Sequence, residues 1–226
     1  GITHVIRGDD HLNNTFRQIQ VFNAMGWALP AFAHIPLIHG ADGAKLSKRH
    51  GALGVDAYRD MGLLPAAIRN YLLRLGWSHG DLEIVSTEDA IKLFDLEGVG
   101  RSASRFDMAK LENTNAHYMR ESDPESLIEA ISPMIEAKID RSLSVAETTR
   151  LSTGMASLQQ RAKTLLDLAV SAEIYVDGAP FSQSPKAAKV LAGSDAGAGL
   201  AAALSALSGI PDDAWNEEGI EAALRA

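Results

Sequence analysis

The chain has 226 residues, 46% of them hydrophobic and 22% charged, with a formal net charge of −8 and no cysteine. That length allows one to three compact units with real cores, and the missing cysteine excludes a disulfide framework and a thiolate metal site. The acidic balance argues against non-specific nucleic-acid binding, which needs a basic footprint, and no apolar run reaches the length of a membrane span.

Charge is unevenly spread. Residues 1–52 carry a net +2, residues 53–124 a net −4 and residues 125–226 a net −6. Nothing suggests secretion, so the chain is expected in the cytoplasm.

Ile2 to Ile6 is β-branched and apolar and predicts a buried strand. A chain that opens inside a strand is expected to be a piece of something longer. Arg7-Gly8-Asp9-Asp10-His11 reads as the strand exit. Asn13, Asn14 and Thr15 are N-cap candidates for a helix to about Met25, stopped by Gly26. Phe16, Ile19 and Phe22 share one face of it. Trp27 to His34 reads as a loop held by Pro30. Ile35 to Ile38 predicts a second strand, with Pro36 fitting only an edge or a strand start.

Strand, helix, strand is the unit of a parallel α/β sheet, in which ligands gather at the carboxyl ends of strands. Arg7, Asp9, Asp10 and His11 stand at one such end. Just past the other comes Lys45-Leu46-Ser47-Lys48-Arg49-His50-Gly51, with further glycines at 40, 43 and 54. The glycines predict a mobile loop. Lysines three apart, with Ser47 between them, suit a loop folding over a polyphosphate. A solvated basic turn is the alternative.

Each neighbouring residue has two readings. Arg7 either grips a carboxylate in bidentate fashion or pairs with Asp9 or Asp10. Asp10 holds a ribose hydroxyl or an ammonium, or serves the helix start. His11 touches a nucleotide or merely begins the helix. The histidines show no metal-ligand spacing, so no metal site is expected. A P-loop and a Gly-x-Ser-x-Gly elbow are absent. Trp27, Trp77 and Trp215 are expected in the core.

From Val55 the pattern is helical. Short helix 55–61 is closed by Gly62. A stronger one runs from Leu64 to Leu75, with Pro65 in its first turn and Gly76 just past its end. Thr87 is expected to cap a helix to Phe94, Asp107 to begin another, and Asp123-Pro124 to start a long one. Ser144 and Glu147 form a capping box. Residues 156–170 predict a single amphipathic helix. Ser182 to Pro185 marks a turn, 193–199 a small-residue linker, and a last helix starts near Trp215. Strand periodicity is absent from 125–226.

These residues carry a resemblance. Lys45-Leu46-Ser47-Lys48-Arg49 is similar to the KMSKS signature of class I aminoacyl-tRNA synthetases, with Leu and Arg as departures. Thr3 to Leu12, Phe32 to Ile38, Leu64 to Ser78, Phe106 to Tyr118 and Arg161 to Leu165 resemble successive segments of bacterial glutamyl-tRNA synthetases. The likeness covers most of the chain and weakens after about residue 180. The family's HIGH signature is missing, and Glu112-Asn113-Thr114 replaces a segment that often carries tryptophan.

The resemblance implies an α/β remnant of a Rossmann-type catalytic domain (1–52), a helical stem-contact domain (53–122) and an all-α anticodon-binding domain (123–226), predominantly α overall. It implies a monomeric parent that joins glutamate to ATP with Mg²⁺ and passes the glutamyl group to tRNA(Glu), away from any membrane. Arg7 would bind the glutamate carboxylate. Asp10, His11, Ile38, Lys45, Leu46, Ser47, Lys48 and Arg49 would contact ATP, with Ile38 and Leu46 flanking adenine. Lys45 and Lys48 would stabilise developing phosphate charge. The piece alone is expected to be inactive, and a non-catalytic tRNA-binding module is the competing reading. A glutamyl-queuosine enzyme is disfavoured by the long helical tail, and a glutaminyl-tRNA synthetase by the absence of strand periodicity.

Overall fold

Strand β1 (His4–Gly8) pairs in parallel with β2 (Ala31–Ile35), and helix α1 (Leu12–Ala24) makes the crossover. The computed structural model describes residues 1–46, 54–178 and 185–225. The register sets Ile6 opposite Ala33 and Arg7 opposite His34. The predicted order of elements therefore holds, but their positions shift. β1 takes in Arg7 and Gly8, and β2 occupies what read as a loop. Pro36 has no N–H to give a ladder, so β2 ends before it instead of running through it.

Burial corrects the sequence reading further. Ile2 is 79% exposed and Ile6 49%. A parallel sheet is ordinarily covered on both faces. Here α1 approaches the face bearing Arg7 and His34, and the Ile6 side is only partly covered, bordering a cavity with Leu96, Val99 and Arg101. Phe16 on α1 is 63% exposed. The helix start also differs: a 3₁₀ turn, Asp9–His11, leads in, and His11 takes the N-cap position with no side-chain bond to the helix backbone.

Four helices follow: α2 (Val55–Asp60), α3 (Pro65–Gly76), α4 (Thr87–Leu93) and α5 (Met108–Glu121). Asp107 caps α5 as predicted, its side chain accepting from Lys110 N. Ser86, not Thr87, caps α4, because its hydroxyl reaches Asp89 N. Gly76 is the last residue of α3 and has no left-handed backbone; the extended Trp77 ends the helix. Tyr58, Leu63, Tyr71 and Leu111 make a small core, with Phe106 edge-on to Tyr71. Trp77 is buried, whereas Trp27 and Trp215 are more than half exposed.

Helices α6 (Pro124–Ile139), α7 (Val145–Gln159) and α8 (Leu165–Ala172) build a larger core. Met119, Leu127, Ile131, Ile135, Leu151, Met155 and Leu168 are its buried centre. Each such side chain contributes about 1.5–3 kcal/mol by leaving water. The single helix predicted over 156–170 is two. Thr164 and Asp167 form a capping box that starts a new helix there, a signal with the same logic as the predicted box at Ser144 and Glu147, which is present.

Asn115 ties the helices together. It is fully buried, its Oδ1 accepts from Leu64 N at 2.7 Å, and its Nδ2 donates to Lys163 O at 2.6 Å. Beside it, Leu165 N donates to Gly62 O at 2.8 Å. Gly62 has φ +75°, and a Cβ there would lie 2.8 Å from Leu166 N, so both backbone and space demand glycine.

The described chain divides into two compact units, Gly1–Ala179 and Pro180–Ala226. The second holds α9 (Pro185–Leu191), α10 (Ala196–Ser208) and α11 (Glu217–Arg225). Its α10 begins inside the expected linker. Alanines offset the helix cost of Gly197 and Gly199. Among the described residues no single helix is long and apolar enough to cross a membrane. The fold is thus mainly helical with a two-stranded parallel sheet, in line with the expected class.

Candidate functional site

The carboxyl ends of β1 and β2 bring polar residues together from three segments. Arg7, the penultimate residue of β1, extends toward α1. Its Nη2 donates to Thr15 Oγ1 at 2.7 Å, and its Nε lies 3.5 Å from His34 Nε2. Thr15 Oγ1 and His34 Nε2 are themselves 2.9 Å apart. The guanidinium carbon sits 5.6 Å from the centre of the Phe32 ring, within reach of a cation–π attraction. Neither Asp9 nor Asp10 is its partner, so the ion-pair reading of Arg7 gives way to a hydrogen-bonded one.

Asp10 meets Lys45 instead. Lys45 Nζ donates to Asp10 Oδ2 at 2.6 Å, and both side chains are exposed. The hydrogen bond from Lys45, ahead of its charge, holds the Asp10 carboxyl below its ordinary value. Residues 35 apart in sequence are joined because the chain doubles back after β2. Leu46 N donates to Ile38 O at 2.9 Å, Gly40 N to Ala44 O at 2.8 Å, and Gly43 N to Gly40 O at 3.0 Å. This narrow turn carries Lys45 back over the end of β1. Gly8 makes the approach possible, since a Cβ there would fall 2.6 Å from Asp10 Oδ1.

Of the predicted site residues, Arg7, Asp10, Ile38, Lys45 and Leu46 are gathered here. His11 is exposed and pairs with Asn14 at 3.0 Å, pointing to a helix-start role. Ser47, Lys48 and Arg49 lie outside the described residues. No group of three or more metal-ligating side chains occurs among the described residues.

Three residues of the site escaped sequence reading. Sequence alone offers Thr15 only as a cap candidate, yet it is buried against Arg7. The sequence pattern places His34 in a loop; only the β2 register sets it opposite Arg7. Arg105 comes from far along the chain. His39 is bridged to it, with His39 N donating to Ser104 O at 2.9 Å and Phe106 N to His39 O at 2.8 Å. That exchange pins the segment before α5 beside the turn and brings a cation near Gly43. No local pattern signals such a contact.

A second charged cluster is structural. Glu147 is buried and accepts from Arg141 through both nitrogens, at 2.7 and 2.9 Å. Ser144 N, Ser144 Oγ and Asp177 N also donate to it. The Arg141 bonds first, then those from Ser144, hold its carboxyl far below the usual range. Every lone pair is used within the fold, so this carboxylate is not presented to a ligand.

Residues 1–113 match the family model described as tRNA synthetases class I (E and Q), catalytic domain, and residues 126–226 match one described as an anticodon binding domain. Over 225 residues the chain is 59% identical to glutamate–tRNA ligase 2 of Paramagnetospirillum magneticum, covering 100% of this chain and 47% of the relative. It is 57% identical over 227 residues to glutamate–tRNA ligase 1 of Sphingopyxis alaskensis, covering 100% of this chain and 46% of the relative. A glutamate tRNA ligase from Elizabethkingia meningosepticum, solved in complex with its amino acid, superposes with a TM-score of 0.76 at 28% identity, over 98% of this chain and 46% of that one. The enzyme from Elizabethkingia anophelis gives a TM-score of 0.74 at 28% identity, with the same coverage. The chain thus spans about half the length of the curated relatives it matches.

Proposed function

The chain belongs to the class I tRNA synthetases of the E and Q type, and from that premise we propose that it supplies the phosphate-closing turn and the helical tRNA-contacting part of a cytoplasmic glutamate–tRNA ligase. In the reaction a glutamate carboxylate oxygen attacks the α-phosphorus of ATP, and the bond to pyrophosphate breaks. A terminal ribose hydroxyl of tRNA(Glu) then attacks the acyl carbon, and AMP leaves. Arg7 would grip a carboxylate of glutamate. Ile38 and Leu46 would flank adenine. Lys45 and Lys48 would offset charge growing on the phosphates, and Ser47 and Arg49 would contact ATP.

One observation supports this reading above the others: the 2.6 Å contact between Lys45 and Asp10. It brings the lysine of the signature over the end of β1, where Arg7 stands. An exposed pair of this kind is weakly held, so polyphosphate can take the ammonium from Asp10 at little cost. Mg²⁺ would arrive with the phosphates, keeping several waters, and needs no protein cage. A single preorganised donor of this sort is worth roughly 10²–10³ in rate.

The test is a graft. This chain replaces the matching half of the Paramagnetospirillum magneticum ligase, and tRNA glutamylation is assayed. An active graft that loses about 10²-fold in rate on Lys45→Ala supports the proposal. A folded but inactive graft contradicts it.

The anticodon-domain match over residues 126–226 favours a second role for the isolated chain, as a tRNA-binding module without chemistry. Such a chain would bind tRNA at low salt, release it at high salt, and show neither glutamylation nor pyrophosphate exchange.

A further inference from the structure

Arginine presents two bidentate edges. One carries the Nε and Nη2 hydrogens, the other one hydrogen from each Nη. In Arg7 the first edge is occupied within the fold. Nη2 gives one hydrogen to Thr15 Oγ1 at 2.7 Å, and Nε faces His34 Nε2 at 3.5 Å. Thr15 is buried, and having accepted from Arg7 it has its own proton to place. The nearest strong acceptor is His34 Nε2 at 2.9 Å, since His11 O lies 3.5 Å off. With its proton on Nδ1, the tautomer the pattern assigns, His34 accepts chiefly from Thr15 through the single Nε2 lone pair, and Arg7 Nε shares that lone pair only weakly at 3.5 Å. Phe32 supports the guanidinium face.

We infer that Thr15 and His34 are positioning residues that occupy the Nε side of Arg7 and thereby reserve its two-Nη edge for an incoming carboxylate. The inference rests on the reading of Arg7 as a glutamate anchor. Thr15 is fixed by burial and His34 by strand register, so the guanidinium is oriented before ligand arrives. Preorganisation of this kind lowers the ordering cost of binding. A carboxylate gains two parallel bonds at that edge, whereas a neutral amide accepts through one oxygen only. The arrangement therefore favours L-glutamate over L-glutamine.

The 226-residue chain is titrated with L-glutamate, and with L-glutamine as the neutral control, while the Arg7 Nε–H resonance is followed by NMR. Glutamate is expected to shift that resonance. Thr15→Ser is expected to keep the response, and Thr15→Val to weaken glutamate binding tenfold or more and displace the resonance in the free chain. His34→Phe, which keeps ring volume and removes the nitrogens, serves as the second variant should Thr15→Val fail to fold, and is expected to behave likewise. Binding unchanged in a folded Thr15→Val or His34→Phe chain overturns the inference while leaving Arg7 as the anchor. No glutamate-dependent change in the unsubstituted chain, or a glutamate affinity, measured by calorimetry, that Arg7→Gln leaves unaltered, overturns the anchor reading itself and the inference with it.

Discussion

The sheet segment and the helical body of the first unit are built on opposite terms. In residues 1–46 only Thr15, Pro30 and Gly40 are buried, and the polar side chains meet at strand ends. From α5 to α8 the buried apolar positions are leucine, isoleucine, methionine and alanine on facing helices, and the buried Asn115 and Glu147 are bonded into the packing. Within this chain stability is therefore held in the helices, and the proposed site lies where packing is thin. A loop that must close over a ligand comes from the low-stability end of a fold.

The sharpest way to break this contrast is a pair of truncations. Met155→Ala, in the centre of the larger core, is expected to cost about 2–5 kcal/mol in urea unfolding. Phe16→Ala, on the exposed face of α1, is expected to change stability by less than about 0.5 kcal/mol. Equal losses would erase the distinction. Next in size is Asn115→Leu, which leaves Leu64 N–H and Lys163 C=O unpaired; a loss of about 2–3 kcal/mol is expected in the same assay.

Acid sharpens the comparison. The Glu147 carboxyl is held far below its ordinary value of 4.5 in the folded chain. Its stabilising contribution is complete above that unfolded value and is lost as pH falls through the folded one, because the unfolded chain then binds the extra proton. Glu147→Gln should therefore lower stability at neutral pH and flatten the acid limb of a melting-temperature profile. A parallel profile would place the effect elsewhere. The smallest effect is expected at Asp10→Asn. Its pair with Lys45 is exposed and screened by salt, so the melting temperature should not move. A measurable drop would mean that the sheet segment is bound into the body more tightly than its burial indicates.

The sequence was most legible where one local signal decided the outcome. Asp107, Asp123 and the Ser144–Glu147 box all cap the helices expected of them. The Thr164–Asp167 box carries the same signal, but the amphipathic spacing through 156–170 hid it. The site was legible in part. Arg7, Asp10 and Lys45 could be named, because strand ends and a lysine-rich loop are local patterns. Thr15 and His34 could not, because their role depends on a strand register that a four-residue shift of β2 destroys. Arg105 could not either, since it reaches the turn through a bridge 66 positions along from His39.

The central claim is that the end of β1 and the turn after β2 form one working site. It is tested most directly by glutamylation of tRNA(Glu) with the grafted ligase. An active graft is expected, in which Arg7→Gln and Lys45→Ala each lower the rate by about 10²-fold. A graft whose rate is indifferent to both substitutions would contradict the claim.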